Sequence, residues 1–413
     1  MIMQDWHELL AESMAEIAAQ MEQIRQTELK NQAKVLSAFH KARVTDYYFS
    51  GSTGYGYGDV GREALEEVYS EIFNTEEALV RPQITSGTQA ITCCLFGLLK
   101  PQDLLLSVTG APYDTLQMVI GQKGDSPNSL EKWQVRYQEI NLFPEGQFSP
   151  RDLGKVSVVP RMILLQRSRG YSLRPALTVP QIQTAVVHLK ERFPESIIFV
   201  DNCYGEFVEE REPTDVGVDL MAGSLIKNPG GTIAPGGGYV VGKGELVEQV
   251  AEHLTAPGLG NRLGPSYGLN RLLFQGLWLA PHLVAEALCG VTLIGSFFRR
   301  LGFEVYPGVD DLRGDVVQAV VCGDPATQKL VCQAVQESGA VDHHFQLEAS
   351  VLPGYDDAVL MASGSFIQGS SSELSADGPV RPPYVVYFQG GTSLAHWQLT
   401  LAAIAGKLSE TSA

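Results

Sequence analysis

The sequence predicts an α/β protein: a large domain with a mainly parallel sheet, followed by a smaller C-terminal α+β domain. Three observations carry this. From about residue 80 to 245 short apolar runs alternate with helical patterns, the rhythm of a doubly wound parallel sheet. A long helical stretch at 266–300 then sets this region apart from the remainder. Residues 301–413 carry further strand-like runs and two helical patterns, which suits a smaller second domain. At 413 residues the chain is long enough for both.

The elements follow in order. Residues 1–50 form a helical arm, in which Leu10, Met14, Ile17, Met21 and Ile24 recur at spacings of four and three and make one apolar stripe. Such a stripe is expected to pack on its own domain, with a subunit interface as the second option. Residues 51–265 make the large domain, with strands at Leu104–Val108, Met162–Leu165, Ile197–Val200 and Gly238–Val241 and helices at Gln89–Leu99 and Val179–Arg192. The linking helix occupies 266–300. In 301–413 strands fall at Val316–Cys322, Ala358–Ala362 and Tyr384–Phe388, with helices at 325–338 and 393–408. The stretch "SGSFIQGSSSELSADGP" reads as a polar loop.

Composition narrows the function. With 44% hydrophobic and 19% charged residues the chain is an ordinary globular one. A formal charge of -17 argues against a nucleic-acid partner, which needs clustered Lys and Arg. The cysteines at 93, 94, 203, 289, 322 and 332 include no C-x-x-C pair, so neither a zinc knuckle nor a disulfide framework is expected and a reducing compartment fits. Acids in the first turns argue against a secretory leader, and no window holds 18 uninterrupted apolar residues. The expectation is a cytoplasmic protein with no membrane and no nucleic-acid partner. His343-His344 lacks a third ligand at metal-site spacing, so no metal is expected.

The segment "GYGYGDVGREALEEVY" spells Gly56-x-Gly58-x-x-Gly61 ahead of a helix. A dinucleotide fingerprint needs a buried strand before it, and "VTDYYFSGST" is aromatic and polar instead. A flexible loop entering a helix is the better reading.

Ligands in doubly wound sheets sit beyond the carboxyl ends of the strands, and the residues there match the needs of pyridoxal phosphate chemistry. That chemistry requires a Schiff-base lysine, a carboxylate at the pyridine nitrogen, a phosphate cradle and a cation for the substrate carboxylate. Asp201 directly follows the run Ile197–Val200; beside a cationic ring nitrogen it is expected to keep a low pKa. Lys227 stands in "SLIKNPGG", where partial burial is expected to lower its pKa and the glycines to let backbone approach a flat cofactor. Lys243, in "VVGKGE", is the competing lysine and suits the surface. Ser86-Gly87-Thr88 open a helix, whose N–H groups and hydroxyls make a phosphate site. Tyr113 follows the Leu104–Val108 strand and is placed to stack on a ring. Each residue alone also has a plain structural reading, as a cap, a turn, a surface charge or a core edge. Their order and spacing together are more specific.

These segments, with "QRSRGYSLRP", "VDNCYGEF" and "SADGPVRPPYVVYFQGG", give a sequence that resembles the fold-type-I pyridoxal phosphate enzymes, in the cystathionine/methionine lyase branch. Within it the chain is similar to the aluminium-resistance, or methionine gamma-lyase-like, family over residues 45–400. The resemblance implies Lys227 as Schiff-base lysine, Asp201 at the pyridine nitrogen, and Ser86, Gly87, Thr88 and Ser224 at the phosphate. Tyr113 would stack on the ring, and Arg381 would bind the substrate α-carboxylate. In related enzymes the segment matching the glycine loop carries a Tyr-x-Arg that reaches the neighbouring subunit's phosphate. Here Tyr57 fits the tyrosine, Asp59 stands where the arginine would be, and Arg62 is the replacement cation.

The resemblance further implies a homotetramer built as a dimer of dimers, with active sites at subunit interfaces. The implied activity is β- or γ-elimination on a sulfur amino acid, with Lys227 moving the proton and Tyr113 or Tyr57 serving the leaving group. An aminotransferase, a lyase for another amino acid, and a non-catalytic pyridoxal phosphate-binding regulator are the alternatives. No aluminium site is read from these residues.

Overall fold

The computed structural model describes residues 6–411. Two helices, α1 (Trp6–Glu16) and α2 (Ala18–Lys41), lead through the glycine loop into α3 (Val60–Ile72). There follow β1 (Glu77–Arg81), α4 (Gly87–Leu98), β2 (Leu104–Ser107), α5 (Asp114–Ile120), β3 (Arg136–Glu139), β4 (Met162–Gln166), α6 (Val179–Arg192), β5 (Ile197–Asp201), β6 (Leu220–Ser224), β7 (Gly238–Gly242) and α7 (Gly244–Leu254). The long α8 (Asn270–Arg300) precedes β8 (Glu304–Tyr306), β9 (Val317–Val321), α9 (Pro325–Ser338), β10 (Ser350–Val351), β11 (Ala358–Ser363), β12 (Ser375–Pro379), β13 (Val385–Gln389) and α10 (Leu394–Thr411).

Seven strands form the first sheet in the order β1-β7-β6-β5-β4-β2-β3. The pairs β3–β2, β2–β4, β4–β5 and β5–β6 are parallel, and β7 alone runs against both neighbours. β2, β4, β5, β6 and β7 are buried along their whole length, as expected of a sheet covered on both faces. The second sheet is antiparallel, β10-β11-β12-β13-β9-β8. The α/β fold with a mostly parallel sheet is the expected one, and the strand and helix runs read from the sequence recur within one or two residues, except that the long helix starts at Asn270 and not at 266 and the last helix runs on to Thr411.

α8 ties the two sheets together. Its first half sends Leu273, Phe274, Leu277, Ala280 and Val284 into the core of the first sheet. Its second half sends Leu293, Ile294, Phe297 and Phe298 into the core of the second. Each fully buried side chain of this size contributes about 1.5–3 kcal/mol. By length and composition α8 could span a bilayer, but its apolar surface is consumed inside the protein. The N-terminal stripe also packs on its own chain: Ile17, with Leu10, Met14 and Met21, joins the second-sheet core, and Ile24 joins the first.

One expectation fails. The stretch at 363–379 is not simply a polar loop, because β12 lies within it and every residue of β12 is buried. It is held on both sides, by β11 and β13, so ladder hydrogen bonds replace the propensity its side chains lack.

The glycine loop follows a short 3-10 turn at Asp46–Phe49, not a strand. Gly61 is required because a Cβ there would lie 2.1 Å from the Tyr48 carbonyl oxygen. Asp59 caps α3, accepting from Arg62 N–H at 3.0 Å, and also accepts from the Ser52 and Ser266 hydroxyls and from Asn270. Burial pushes its pKa up, but these four donors outweigh burial and bring it down to about 2. Asp59 therefore stabilises the fold above its ordinary pKa of 3.8, and that contribution is lost as pH falls through about 2. Asp59→Ala is expected to lower unfolding free energy at pH 7 by about 1–2 kcal/mol, measured by urea denaturation, with a smaller penalty at pH 2.

Candidate functional site

A cavity of about 310 Å³ opens where the carboxyl ends of β4, β5 and β6 meet one face of the second sheet. Its size is at the lower end for small-molecule sites. The parallel strands put Gln166, Asp201 and Ser224 at its edge, since each is the last residue of its strand. The N-terminus of α4 supplies Ser86, Gly87 and Thr88.

Asp201 and Lys227 both line the cavity and make no ion pair with each other among the described residues. Asp201 accepts the Cys203 N–H at 3.1 Å. Burial raises its pKa against the pull of Lys227, Cys203 and Arg174, so in the protein alone the shift is opposite to the low value expected beside a ring cation. The Lys227 ammonium rests 3.9 Å from the Tyr204 ring centroid, a cation–π contact. Lys227 is partly buried, as expected, but its pKa shift runs the other way. Desolvation alone would lower its pKa, yet Cys203, Tyr204, Asp201 and Tyr113 hold it well above the ordinary lysine value.

The glycines after Lys227 serve a different surface from the one expected. A Cβ on Gly231 would lie 2.1 Å from the Gly276 carbonyl oxygen, and one on Gly276 would lie 2.2 Å from that of Gly230. The Pro-Gly-Gly turn therefore docks against α8 and fixes the backbone beside Lys227. Lys243, the competing lysine, is on the surface and pairs with Asp219 at 2.8 Å.

Ser86 caps α4, its Oγ accepting from Gln89 N–H at 3.0 Å. Thr88 Oγ1 and the Tyr113 hydroxyl are 3.0 Å apart. Tyr113 N–H donates to Gln166 Oε1 at 2.8 Å, which fixes the start of α5, and burial raises the pKa of its hydroxyl. Gly87 brings α4 close to β6: a Cβ there would meet Cys203 Sγ at 3.1 Å and Ser224 Cβ at 3.2 Å. Helix N–H groups, three hydroxyls, a carboxylate and a lysine around one hollow are the donor set a phosphorylated pyridine aldehyde requires, so the residues fit that cofactor.

The remaining candidates lie elsewhere. Tyr57 is 61% exposed, and with Arg62 it borders a separate hollow beside Glu63 and Glu66. The Arg62 guanidinium is buried in its own chain, donating to the Gly56 and Gly264 carbonyls at 2.9 Å each. Arg381 does not line the cavity, because its guanidinium pairs with Asp357 at 2.8 Å on the surface. Conversely, Tyr171, Tyr204, Tyr355, Asp377, Tyr387 and Gln389 line the cavity without having been singled out in the sequence. Tyr204 carried one signal: it falls three residues past a strand's carboxyl end, with φ 72°, a backbone conformation costly for a non-glycine residue.

A sequence profile described as methionine gamma-lyase matches residues 6–409. The uncharacterized protein YnbB of Bacillus subtilis is 45% identical over 385 residues, covering 92% of this chain and 91% of that one. A Listeria monocytogenes structure, provisionally named a cystathionine beta-lyase involved in aluminum resistance, is 43% identical with a TM-score of 0.94, over 97% of this chain and 99% of its own. A structure from Clostridium novyi, described as a carbon-sulfur lyase involved in aluminum resistance, is 41% identical with a TM-score of 0.92, over 97% of this chain and 95% of its own.

Behind the lysine, Glu206 is fully buried, accepts the Tyr239 hydroxyl at 2.7 Å and leaves Oε2 without a partner. Burial pushes its pKa up to about 8 from an ordinary 4.5, despite the Tyr239 hydrogen bond. A raised carboxyl pKa means the folded state holds a proton that the unfolded state has lost, so stability falls as pH rises from about 4.5 to about 8. Glu206→Gln is expected to flatten that decline, read from melting temperature across pH 5 to 9; an unchanged slope contradicts the assignment.

Proposed function

Because the chain belongs to the methionine gamma-lyase family, we propose that it is a pyridoxal 5'-phosphate-dependent carbon–sulfur lyase, acting by β- or γ-elimination on a cystathionine- or methionine-like amino acid. The fold is that of the fold-type-I enzymes of the cystathionine lyase and synthase group. The observation that carries the reading is that Asp201, Lys227 and the N-terminal residues of α4 line one cavity.

Bound there, the cofactor supplies an electron sink for negative charge developing at the substrate α carbon. The chain's own residues do the rest. Ser86, Thr88 and Ser224, with the first N–H groups of α4, would hold the phosphate. Asp201 would keep the ring nitrogen protonated, and that positive charge would return its own pKa to the carboxylate range. Tyr113 flanks the ring from the α5 side. Lys227 would hold the cofactor aldehyde and would also take the α-proton on Nζ, with the Tyr204 face steadying the ammonium so formed. The raised Tyr113 pKa keeps its hydroxyl protonated, so it can donate to a departing thiolate. The products are a thiol, a 2-keto acid and ammonia.

Arg381 would have to leave Asp357 to serve the substrate α-carboxylate. Tyr57 and Arg62 would act, if they act, in a neighbouring subunit's site of a dimer of dimers. Six free, buried thiols suit a reducing cytoplasm.

The purified protein, loaded with pyridoxal phosphate, is expected to release keto acid from cystathionine or methionine without an amino acceptor. Lys227→Ala is expected to lower kcat by on the order of 10³-fold or more. Keto acid formation that depends on an added acceptor would instead mark a transaminase, and undiminished turnover in Lys227→Ala would defeat the lysine assignment.

A further inference from the structure

We propose that Asp377 sets substrate specificity by receiving a cationic group at the far end of the amino acid's side chain. The proposal rests on the reading of this cavity as a pyridoxal phosphate-dependent amino-acid site. Its basis is the charge inventory of the walls. Lys227 is the only Lys, Arg or His among the residues lining the cavity, whereas Asp114, Asp201 and Asp377 all line it. Two of the three carboxylates have assigned partners. Asp114 pairs with Lys123, and Asp201 is positioned for the ring nitrogen. Asp377 has no cation within ion-pair distance among the described residues.

The placement of Asp377 is built, not incidental. It lies on β12, opposite Tyr387 of β13 in the register, and two residues on from Ser375, which lies opposite Gln389. Alternation along the strands puts all four on one face, and Asp377, Tyr387 and Gln389 line the cavity. Asp377 is 6% exposed. Gln389 Nε2 donates to its Oδ2 at 2.9 Å, and the Tyr171 hydroxyl also interacts with it. Both are neutral donors, which orient a carboxylate without neutralising it. Ser375 Oγ, on the same face, is buried with no hydrogen-bond partner.

A buried carboxylate left without a counter-charge is costly, and burial accordingly pushes the Asp377 carboxyl up to about 7 from an ordinary 3.8. A substrate ammonium entering from the cavity would remove that cost, and its N–H groups would find acceptors in the carboxylate oxygens. The favoured substrates are therefore amino acids whose side chain ends in an ammonium.

The test compares L-lysine with L-norleucine, which differ by the terminal ammonium and contain no carbon–sulfur bond. Each is titrated into the pyridoxal phosphate-loaded protein and its dissociation constant read from the change in visible absorption. Wild type is expected to bind lysine at least about tenfold more tightly than norleucine. Asp377→Asn is expected to abolish that preference through weaker lysine binding, with norleucine unchanged within about twofold. Equal binding of the two by wild type, or a preference that survives in Asp377→Asn, overturns the proposal. The wild-type comparison needs no variant to fold. Neither ligand can undergo the elimination, so failure of the lyase reading, seen as absent keto acid release, is distinguishable from failure of this one.

Discussion

The site depends on keeping a buried acid and a partly buried ammonium near one another without letting them pair. Asp201, buried, and Lys227, partly buried, line the same cavity, with no ion pair closing between them among the described residues. A direct pair would be the cheaper arrangement for the polypeptide by itself, because uncompensated buried charge is costly. Instead Asp201 is held by the backbone of Cys203 and Lys227 is held over the Tyr204 ring. The space between has two ends of opposite demand, one for a group that welcomes a proton and one for a group that accepts an amine.

Rigid neighbours maintain this separation. The Asp201 end is the last residue of a central strand with parallel partners on both sides. The Lys227 end is fixed by the close contact of Gly230 and Gly231 with Gly276 of α8. That helix also carries the core of the second sheet, so the wall bearing Asp377, Tyr387 and Gln389 and the turn beside Lys227 share one mechanical support. Tyr204, in a left-handed backbone conformation, and Tyr171 fill the seam between the sheets.

Much of this was legible in the sequence, for physical reasons. Buried parallel strands read as continuous apolar runs, so the carboxyl ends that carry Asp201 and Tyr113's loop could be located without a structure. Ser86, Gly87, Thr88 and Lys227 could be placed because they sit at a helix start or just past an apolar run, whereas Ser224 came only with the family resemblance. What could not be read is the wall contributed by the second sheet. β12, Ser-Ala-Asp-Gly-Pro, has the composition of a turn and becomes a strand only because β11 and β13 pair with it. Asp377 was hidden with it. Arg381, four residues further on, looked well placed by order along the chain, but the turn after β12 carries it to Asp357 at the surface. The purpose of the glycines after Lys227 was equally hidden, since the surface they approach belongs to a helix some 45 residues away in the chain.

The most direct measurement is chemical. Borohydride reduction of the protein incubated with pyridoxal phosphate, followed by proteolysis and mass spectrometry, locates the lysine that bonds the aldehyde. The account predicts a single pyridoxyl group on Lys227, in stoichiometric yield, and a loss of that yield in Asp201→Ala. Labelling of Lys243 or of several surface lysines in place of Lys227 would contradict it.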